Sequence, residues 1–329
     1  MPEQRIHAPE FPVGLEWVNT QRPLCLAELR GKVVLLDFWA SCRIHCMHVV
    51  PELRRLEARF AHQLVVIGVH GAKYASEEEA DGIRRAIERY GIEHPVVNDH
   101  DFRLWRRYAV RAWPTLVLID PEGCLVGSVS GAGHGETIAN AIWRLLDTAR
   151  QKGILDERPR ERVLGRVRSG EAGGSTLSFP GGVEADPHRD RLIIADTNHH
   201  RILITHLDGT FVDAVGRGAP GRADGTFEEA AFDGPQGMAV DGDVLYVAER
   251  QNHLVRRVDL ARRTVTTVGG TGARARPFGT PGPAPAVDLN SPWDLVRLRS
   301  AALDGLIIAM AGSHQLWFLD LERGTMRRF

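Results

Sequence analysis

The first half of the chain alternates short apolar runs with amphipathic stretches. Residues 33–36 and 64–69 are continuous apolar, β-branched runs, which are typical of buried parallel strands. Apolar positions at helical spacing predict a helix that runs from a cysteine-containing turn to residue 60. A second helix is predicted to begin at a capping box over residues 76–79 and to end near Tyr90. Strands that alternate with helices predict a mixed sheet covered by helices, an α/β fold.

Shorter elements complete this predicted sheet. Strands are predicted at residues 15–19, 95–98, 115–119 and 125–130, and helices at residues 26–29, 101–108 and 136–150. Pro114 lies after a helix and directly before one of these strands.

The second half of the chain repeats itself at spacings of 55 and 57 residues, counted between Pro180, Pro235 and Pro292. Each copy continues into an apolar strand, a polar turn with a histidine and another apolar strand. The turn histidines are assigned as His199, His253 and His314. Repeats of this length, built from short strands and glycine turns, are typical of β-propeller blades. Because the turn position recurs, we expect these histidines to serve turn structure and not a shared ligand.

These patterns predict an α/β domain over residues 1–152, a linker over residues 153–175 and an all-β domain over residues 176–329. The linker is rich in charge and glycine and lacks sustained periodicity. A short strand at residues 163–167 is the one element that its sequence suggests.

Composition and charge disfavour several classes of function. The 329 residues carry a net charge of −1, and residues 176–329 hold 17 arginines, no lysine and 19 acidic residues, so a nucleic-acid-binding surface is not expected. The sequence has no run of 18 apolar residues and no leader of the secretory kind, so we expect neither membrane insertion nor secretion. Four cysteines in so long a chain are not a disulfide scaffold, and a cytoplasmic location is predicted.

The candidate chemistry lies in residues 35–51, LLDFWASCRIHCMHVVP. This segment resembles the active site of the thioredoxin superfamily, which runs Asp-Phe-Trp-Ala, two residues, Cys-x-x-Cys, four residues, Pro. Counted back from Pro51, Cys46 matches the second, resolving cysteine. Arg43 stands where the family has its nucleophilic cysteine, and Cys42 lies one residue earlier. A cysteine at a helix N-terminus is favoured as thiolate, and Arg43 would add to that effect.

The resemblance implies two further site residues. Asp37 would lie beneath Cys46 as a buried carboxylate that exchanges a proton with the sulfur. Trp113-Pro114 looks like the loop that carries the family's cis-proline, packed against the active-site sulfurs. Residues 10–150 resemble the peroxiredoxin-like and cytochrome-maturation branches most, but a peroxidase is disfavoured because the segment lacks the Pro-x-x-x-Thr-x-x-Cys frame.

The cysteine turn could also hold a disulfide or a metal ion. If residues 42–46 are helical, the Cα atoms of Cys42 and Cys46 lie about 6 Å apart, which allows a strained, reversible disulfide. A metal site formed by Cys42, His45, Cys46 and His48 is disfavoured because this spacing is too tight for zinc. Neither a metal nor another cofactor is predicted.

The repeated segments of residues 176–329 resemble NHL repeats, and the domain order resembles NHL-repeat-containing proteins with an N-terminal thioredoxin-like domain. The expected fold is therefore a thioredoxin-like domain followed by a partial, three-blade NHL β-propeller. A closed ring normally needs about 4–8 blades, so we expect an N-terminal piece of a longer protein.

The function predicted from these features is that of an interaction scaffold. It would bind a protein or peptide partner through the propeller, and its thiol redox activity would be atypical or vestigial. The alternative is a thiol–disulfide oxidoreductase that uses Cys46 and Cys42.

Overall fold

The computed structural model of the chain describes residues 5–159, 176–276, 278–300 and 302–329, apart from the side chain of Ser76. The chain forms two units with separate cores, which meet in sequence at Gly173 and Gly174. Most of the predicted linker lies outside the described residues, as does the strand predicted at residues 163–167.

The first unit is a six-stranded mixed sheet with helices against it. Its strands are β1 Glu16–Val18, β2 Val33–Trp39, β3 Leu64–His70, β4 Val96–Asn98, β5 Thr115–Ile119 and β6 Leu125–Ser130. Its helices are α1 Ile44–Arg59, α2 Ala80–Tyr90, α3 Arg103–Arg107 and α4 Gly135–Gln151, with 3-10 turns at Leu26–Leu29 and Ala75–Glu77. The strand order is β1-β4-β3-β2-β5-β6, and β2, β3 and β4 run parallel. This is the mixed sheet that the alternating pattern predicts.

The two central strands are buried along their whole length because both faces of the sheet are covered. On one face Val34, Leu36 and Phe38 pack with residues of β3 and β5 and with the chain before β2. On the other face Val33 and Leu35 pack against α1 and α4. The apolar runs of the sequence therefore form two core layers, with β2 between them.

The capping box predicted over residues 76–79 is wrong. The acidic run predicts a helix start there, but α2 begins at Ala80, and Glu77 ends a separate 3-10 turn. The side chain of Glu77 accepts bonds from the backbone at the start of its own 3-10 turn and from the cysteine turn, so it does not cap α2.

The second unit consists of three antiparallel sheets. The first has β7 Gly182–Asp186, β8 Arg191–Asp196, β9 Arg201–Thr205 and β10 Phe211–Val215. The second has β11 Gly225–Thr226, β12 Pro235–Asp241, β13 Val244–Glu249, β14 Leu254–Asp259 and β15 Thr264–Gly269. The third has β16 Gly282–Pro283, β17 Pro292–Arg299, β18 Asp304–Met310, β19 Gln315–Asp320 and β20 Thr325–Arg328.

The strands that follow the repeated prolines lie side by side: β12 contacts both β7 and β17. The repeat glycines permit this approach, since a Cβ on Gly182 would lie 2.4 Å from the Gln236 carbonyl oxygen and one on Gly237 would lie 2.2 Å from Asp294 Oδ1. Apolar side chains fill the space between successive sheets. Each repeat is thus one sheet, stacked on the next.

Among the helices in the described part of the chain, none is both long enough and apolar enough to span a membrane.

Candidate functional site

The cysteine turn connects the carboxyl end of β2 to α1, and its two thiols differ in exposure. Cys46 lies in the first turn of α1 and is only 2% exposed, whereas Cys42 lies on the surface. Cys46 packs in an apolar cluster with Trp39 and Val50. All four cysteines of the chain are free thiols in this structure.

Arg43 occupies the N-cap position of α1, with an extended backbone. Its guanidinium carbon lies 5.5 Å from the centre of the Trp113 ring, a cation–π contact. The Trp113–Pro114 peptide bond is cis, as the sequence predicts, and Trp113 packs against the same apolar cluster as Cys46. The arginine side chain therefore joins the cysteine turn to the cis-proline loop.

Asp37 is buried within β2, where it is only 3% exposed. Burial raises the pKa of Asp37 to about 7, and the electrostatic effect of His94 partly opposes this rise. Its Oδ1 atom has no hydrogen-bond partner among the residues that the structure describes. At neutral pH the protonated and ionised forms of this carboxyl group are therefore both populated.

A buried pair of ionisable side chains, His94 and Glu57, lies near Asp37. His94 Nδ1 is 3.3 Å from Glu57 Oε2, which projects from α1. Gly68 pairs with Asp37 across β2 and β3, and a Cβ on this glycine would lie 3.5 Å from His94 Nε2. The sequence gives no signal for this pair, because Glu57 has an ordinary helical context and His94 follows a helix stop.

The surroundings of both thiols favour the protonated form. Burial raises the pKa of Cys46, and the negative charge of Asp37 raises it further. Burial and then the Glu77 carboxylate raise the pKa of Cys42, while Lys73 and Arg43 act in the opposite direction. A neutral thiol is a weaker nucleophile than a thiolate.

Glu77 is the site residue that the sequence analysis missed. Its Oε1 accepts a short hydrogen bond from the Ser41 hydroxyl and one of 2.8 Å from the Cys42 backbone N–H. Its Oε2 accepts bonds from the backbone N–H groups of Lys73 at 3.1 Å and Tyr74 at 3.3 Å. The acidic run over residues 77–79 was its one sequence signal, and that run also fits a helix start.

The structure brings the five predicted site residues into one region of the first unit. Asp37 influences the charge of the Cys46 thiol, and Arg43 influences both thiols of the turn. The loop before Pro114 contacts Arg43. Catalytic roles for these residues and a reversible Cys42–Cys46 disulfide stay predictions. The helical conformation assumed for residues 42–46 is wrong, because α1 begins at Ile44 and the backbone of Arg43 is extended.

Within the described part of the chain, no group of three or more His, Cys, Asp or Glu side chains is arranged to hold a metal ion. Cys25 lies apart from the cysteine turn, where it is half-buried and donates a hydrogen bond of 3.1 Å to Glu10.

Two turn histidines of the second unit, His200 and His253, link successive sheets. His200, His253 and His314 all have left-handed backbone conformations at the same turn position, so His200 and not His199 is the equivalent residue in the first repeat. His200 Nδ1 accepts a hydrogen bond from the Gly234 N–H at 3.3 Å. His253 Nδ1 accepts one from the Ser291 N–H at 3.0 Å. These contacts agree with the structural role expected for the repeated histidines.

Comparison with known proteins finds relatives of the first unit and of the whole chain. Residues 31–125 match a family model described as thioredoxin-like. Human NHL repeat-containing protein 2 is 40% identical over 98% of this chain and 45% of its own length. Protein SUPPRESSOR OF QUENCHING 1, chloroplastic, from Arabidopsis thaliana is 38% identical over 98% of this chain and 31% of its own length. The chain thus spans less than half the length of these two relatives.

A shorter similarity covers the first unit. Thiol-disulfide oxidoreductase ResA from Bacillus subtilis is 33% identical over 38% of this chain and 65% of its own length. The similarity to NHL repeat-containing protein 2, in contrast, extends through both units. Over 98% of its length the chain is therefore similar to an NHL repeat-containing protein, and its first unit has a thioredoxin-like domain.

Proposed function

We propose that this protein acts mainly as an interaction scaffold whose thioredoxin-like domain has atypical or vestigial thiol redox activity. Arg43 is the observation that carries the proposal. It stands at the start of α1, where a thioredoxin-type enzyme needs its attacking sulfur. The raised pKa values of Cys42 and Cys46 support the same conclusion, because neither neighbouring thiol is prepared to take over the attack.

We further propose that the three antiparallel sheets are consecutive blades of an NHL β-propeller. Their four-stranded meanders, the side-by-side packing of β7, β12 and β17 and the apolar layers between sheets support this architecture. In the proposed propeller the repeated strands form a rigid platform, and the loops between them carry recognition.

The proposed partner is a protein or peptide. Residues 176–329 have more acidic residues than arginines, and several buried or half-buried arginines of this unit are paired with carboxylates. For example, Arg256 pairs with Glu249 and Asp224, and Arg297 pairs with Asp241. Such pairing leaves less positive charge for phosphate contacts, so nucleic acid is a poorer candidate.

Reduction of insulin disulfides by dithiothreitol tests the proposal. Wild-type protein and Cys46→Ser are expected to match the uncatalysed rate. Circular dichroism verifies that the variant is folded. Wild-type acceleration that disappears in Cys46→Ser would overturn the scaffold proposal.

A thiol–disulfide oxidoreductase that uses Cys42 and Cys46 is the second candidate. The exposed Cys42 thiol beside Arg43 favours it, as does the similarity of the first unit to ResA. In that case the wild type would accelerate insulin reduction, and Cys42→Ser and Cys46→Ser would each abolish that acceleration. Retained activity in Cys42→Ser would exclude this pair as the reacting thiols.

We propose a cytoplasmic location, which suits four free thiols. The Arabidopsis relative is named as chloroplastic, so the experiment has to distinguish the cytoplasm from an organelle. Fractionation of source cells with an antibody to this protein would distinguish the two.

A further inference from the structure

The carboxylate of Glu77 is the centre of a hydrogen-bond cluster that holds the cysteine turn. It accepts bonds from the Ser41 hydroxyl and from the backbone N–H groups of Cys42, Lys73 and Tyr74. The Cys42 thiol also makes a side-chain hydrogen bond to this carboxylate. The Tyr90 hydroxyl donates to the Ser41 carbonyl oxygen at 3.2 Å, which fixes the same turn from the side of α2.

The geometry keeps Glu77 ionised although it is only 8% exposed. Burial alone raises the pKa of a carboxyl group, but here the bonds from Ser41, Lys73 and Cys42 together lower it below its usual value. A full negative charge is therefore fixed beside the sulfur of Cys42.

We propose that Glu77 is a positioning residue that holds Cys42 as a protonated, weakly reactive thiol and fixes the backbone of the cysteine turn. The thiol proton lies between sulfur and carboxylate, so its loss would place two negative charges together. Lys73 and Arg43 face the same sulfur with positive charge and favour the thiolate. The negative charge of Glu77, together with the hydrogen bond from the thiol, has the larger effect.

The pH dependence of alkylation tests this role. Full-length protein is treated with iodoacetamide between pH 6 and 10, and modification at each cysteine is followed by peptide mass spectrometry. In Glu77→Gln the carboxylate is lost at nearly constant volume. The midpoint for Cys42 is expected to fall by about one pH unit, and its rate at pH 7.5 to rise about tenfold.

Matched controls separate charge from general loosening. Glu79→Gln removes an exposed carboxylate two residues away and is expected to leave the Cys42 profile unchanged. Cys25, paired with Glu10, is an internal reference whose rate should stay constant. An unchanged Cys42 midpoint in Glu77→Gln, or a rate that rises equally at every pH, would overturn the proposal.

A measurement on the wild type covers the case in which Glu77→Gln does not fold. The alkylation midpoint of Cys42 in the native protein is expected to lie above that of the same cysteine in 8 M urea. A native midpoint at or below the urea value would also overturn the proposal. Alkylation uses no disulfide substrate and no partner, so its failure is distinguishable from failure of the proposed scaffold function.

Discussion

Replacement of Asp37 by asparagine should remove a pH-dependent loss of stability from the thioredoxin-like unit. Burial raises the pKa of Asp37 from 3.8 to about 7 in the folded protein. Between these pH values the folded state binds more protons than the unfolded state, so wild-type stability falls as the pH rises and levels off above pH 7. The amide side chain of the Asp37→Asn variant has no proton to lose in this range, so this contribution is absent in the variant.

The size of the effect follows from the pKa difference. One pKa unit corresponds to about 1.4 kcal/mol, so the ionisation of Asp37 costs the folded state about 4 kcal/mol above pH 7. Between pH 5 and pH 8 the advantage of Asp37→Asn over wild type should grow by about 3 kcal/mol. Burial of the amide in Asp37→Asn changes the free energy of unfolding by an amount that is the same at every pH, so it does not alter this growth.

Urea unfolding at several pH values measures this difference. Tryptophan fluorescence reports mainly on the first unit, which contains five of the seven tryptophans. The exposed Asp147 on α4 provides the control, since Asp147→Asn should give a curve parallel to wild type. If the stabilities of Asp37→Asn and wild type also ran parallel from pH 5 to pH 8, the raised pKa and the role of burial would be refuted.

Two further predictions concern structural contacts. His253→Ala removes the acceptor of the Ser291 N–H and should destabilise the second unit by about 1–3 kcal/mol in urea unfolding. Because burial lowers the pKa of His253 to about 4, the wild-type unit should lose stability as pH falls from 6.5 to 4, and an equal loss in His253→Ala would contradict this. The buried Lys32 ammonium donates to three backbone carbonyls, two of them in residues 156–158, so Lys32→Met should speed cleavage after Glu157 by a glutamate-specific endoprotease. Cleavage no faster than in Lys152→Met, which alters an exposed lysine, would argue against that anchor.

The sequence predicts the frame of the thioredoxin-like site well because that frame is local. The apolar run before Asp37, the helix after the cysteine turn and the strand after Pro114 have clear patterns, and the structure has all three. The repeat spacing likewise predicts one antiparallel sheet per copy, which is what residues 176–329 form.

The parts that sequence did not predict depend on contacts between distant residues. Glu77 lies 35 residues from Cys42, and an acidic run carries no information about which tertiary donors it will meet. His94 and Glu57 are 37 residues apart for the same reason. In the first repeat two adjacent histidines compete for one turn position, and only the backbone conformation identifies His200.

We propose that the thioredoxin-like site lacks an attacking sulfur because Arg43 stands in its place. Arg43→Cys creates a Cys-x-x-Cys pair with Cys46, and Arg43→Ser removes the arginine without adding a thiol. The most direct measurement is the rate at which each folded protein exchanges thiols with a disulfide-linked fluorescent peptide. Our account predicts rapid exchange for Arg43→Cys and background rates for the wild type and Arg43→Ser. Wild-type exchange as fast as that of Arg43→Cys would contradict it.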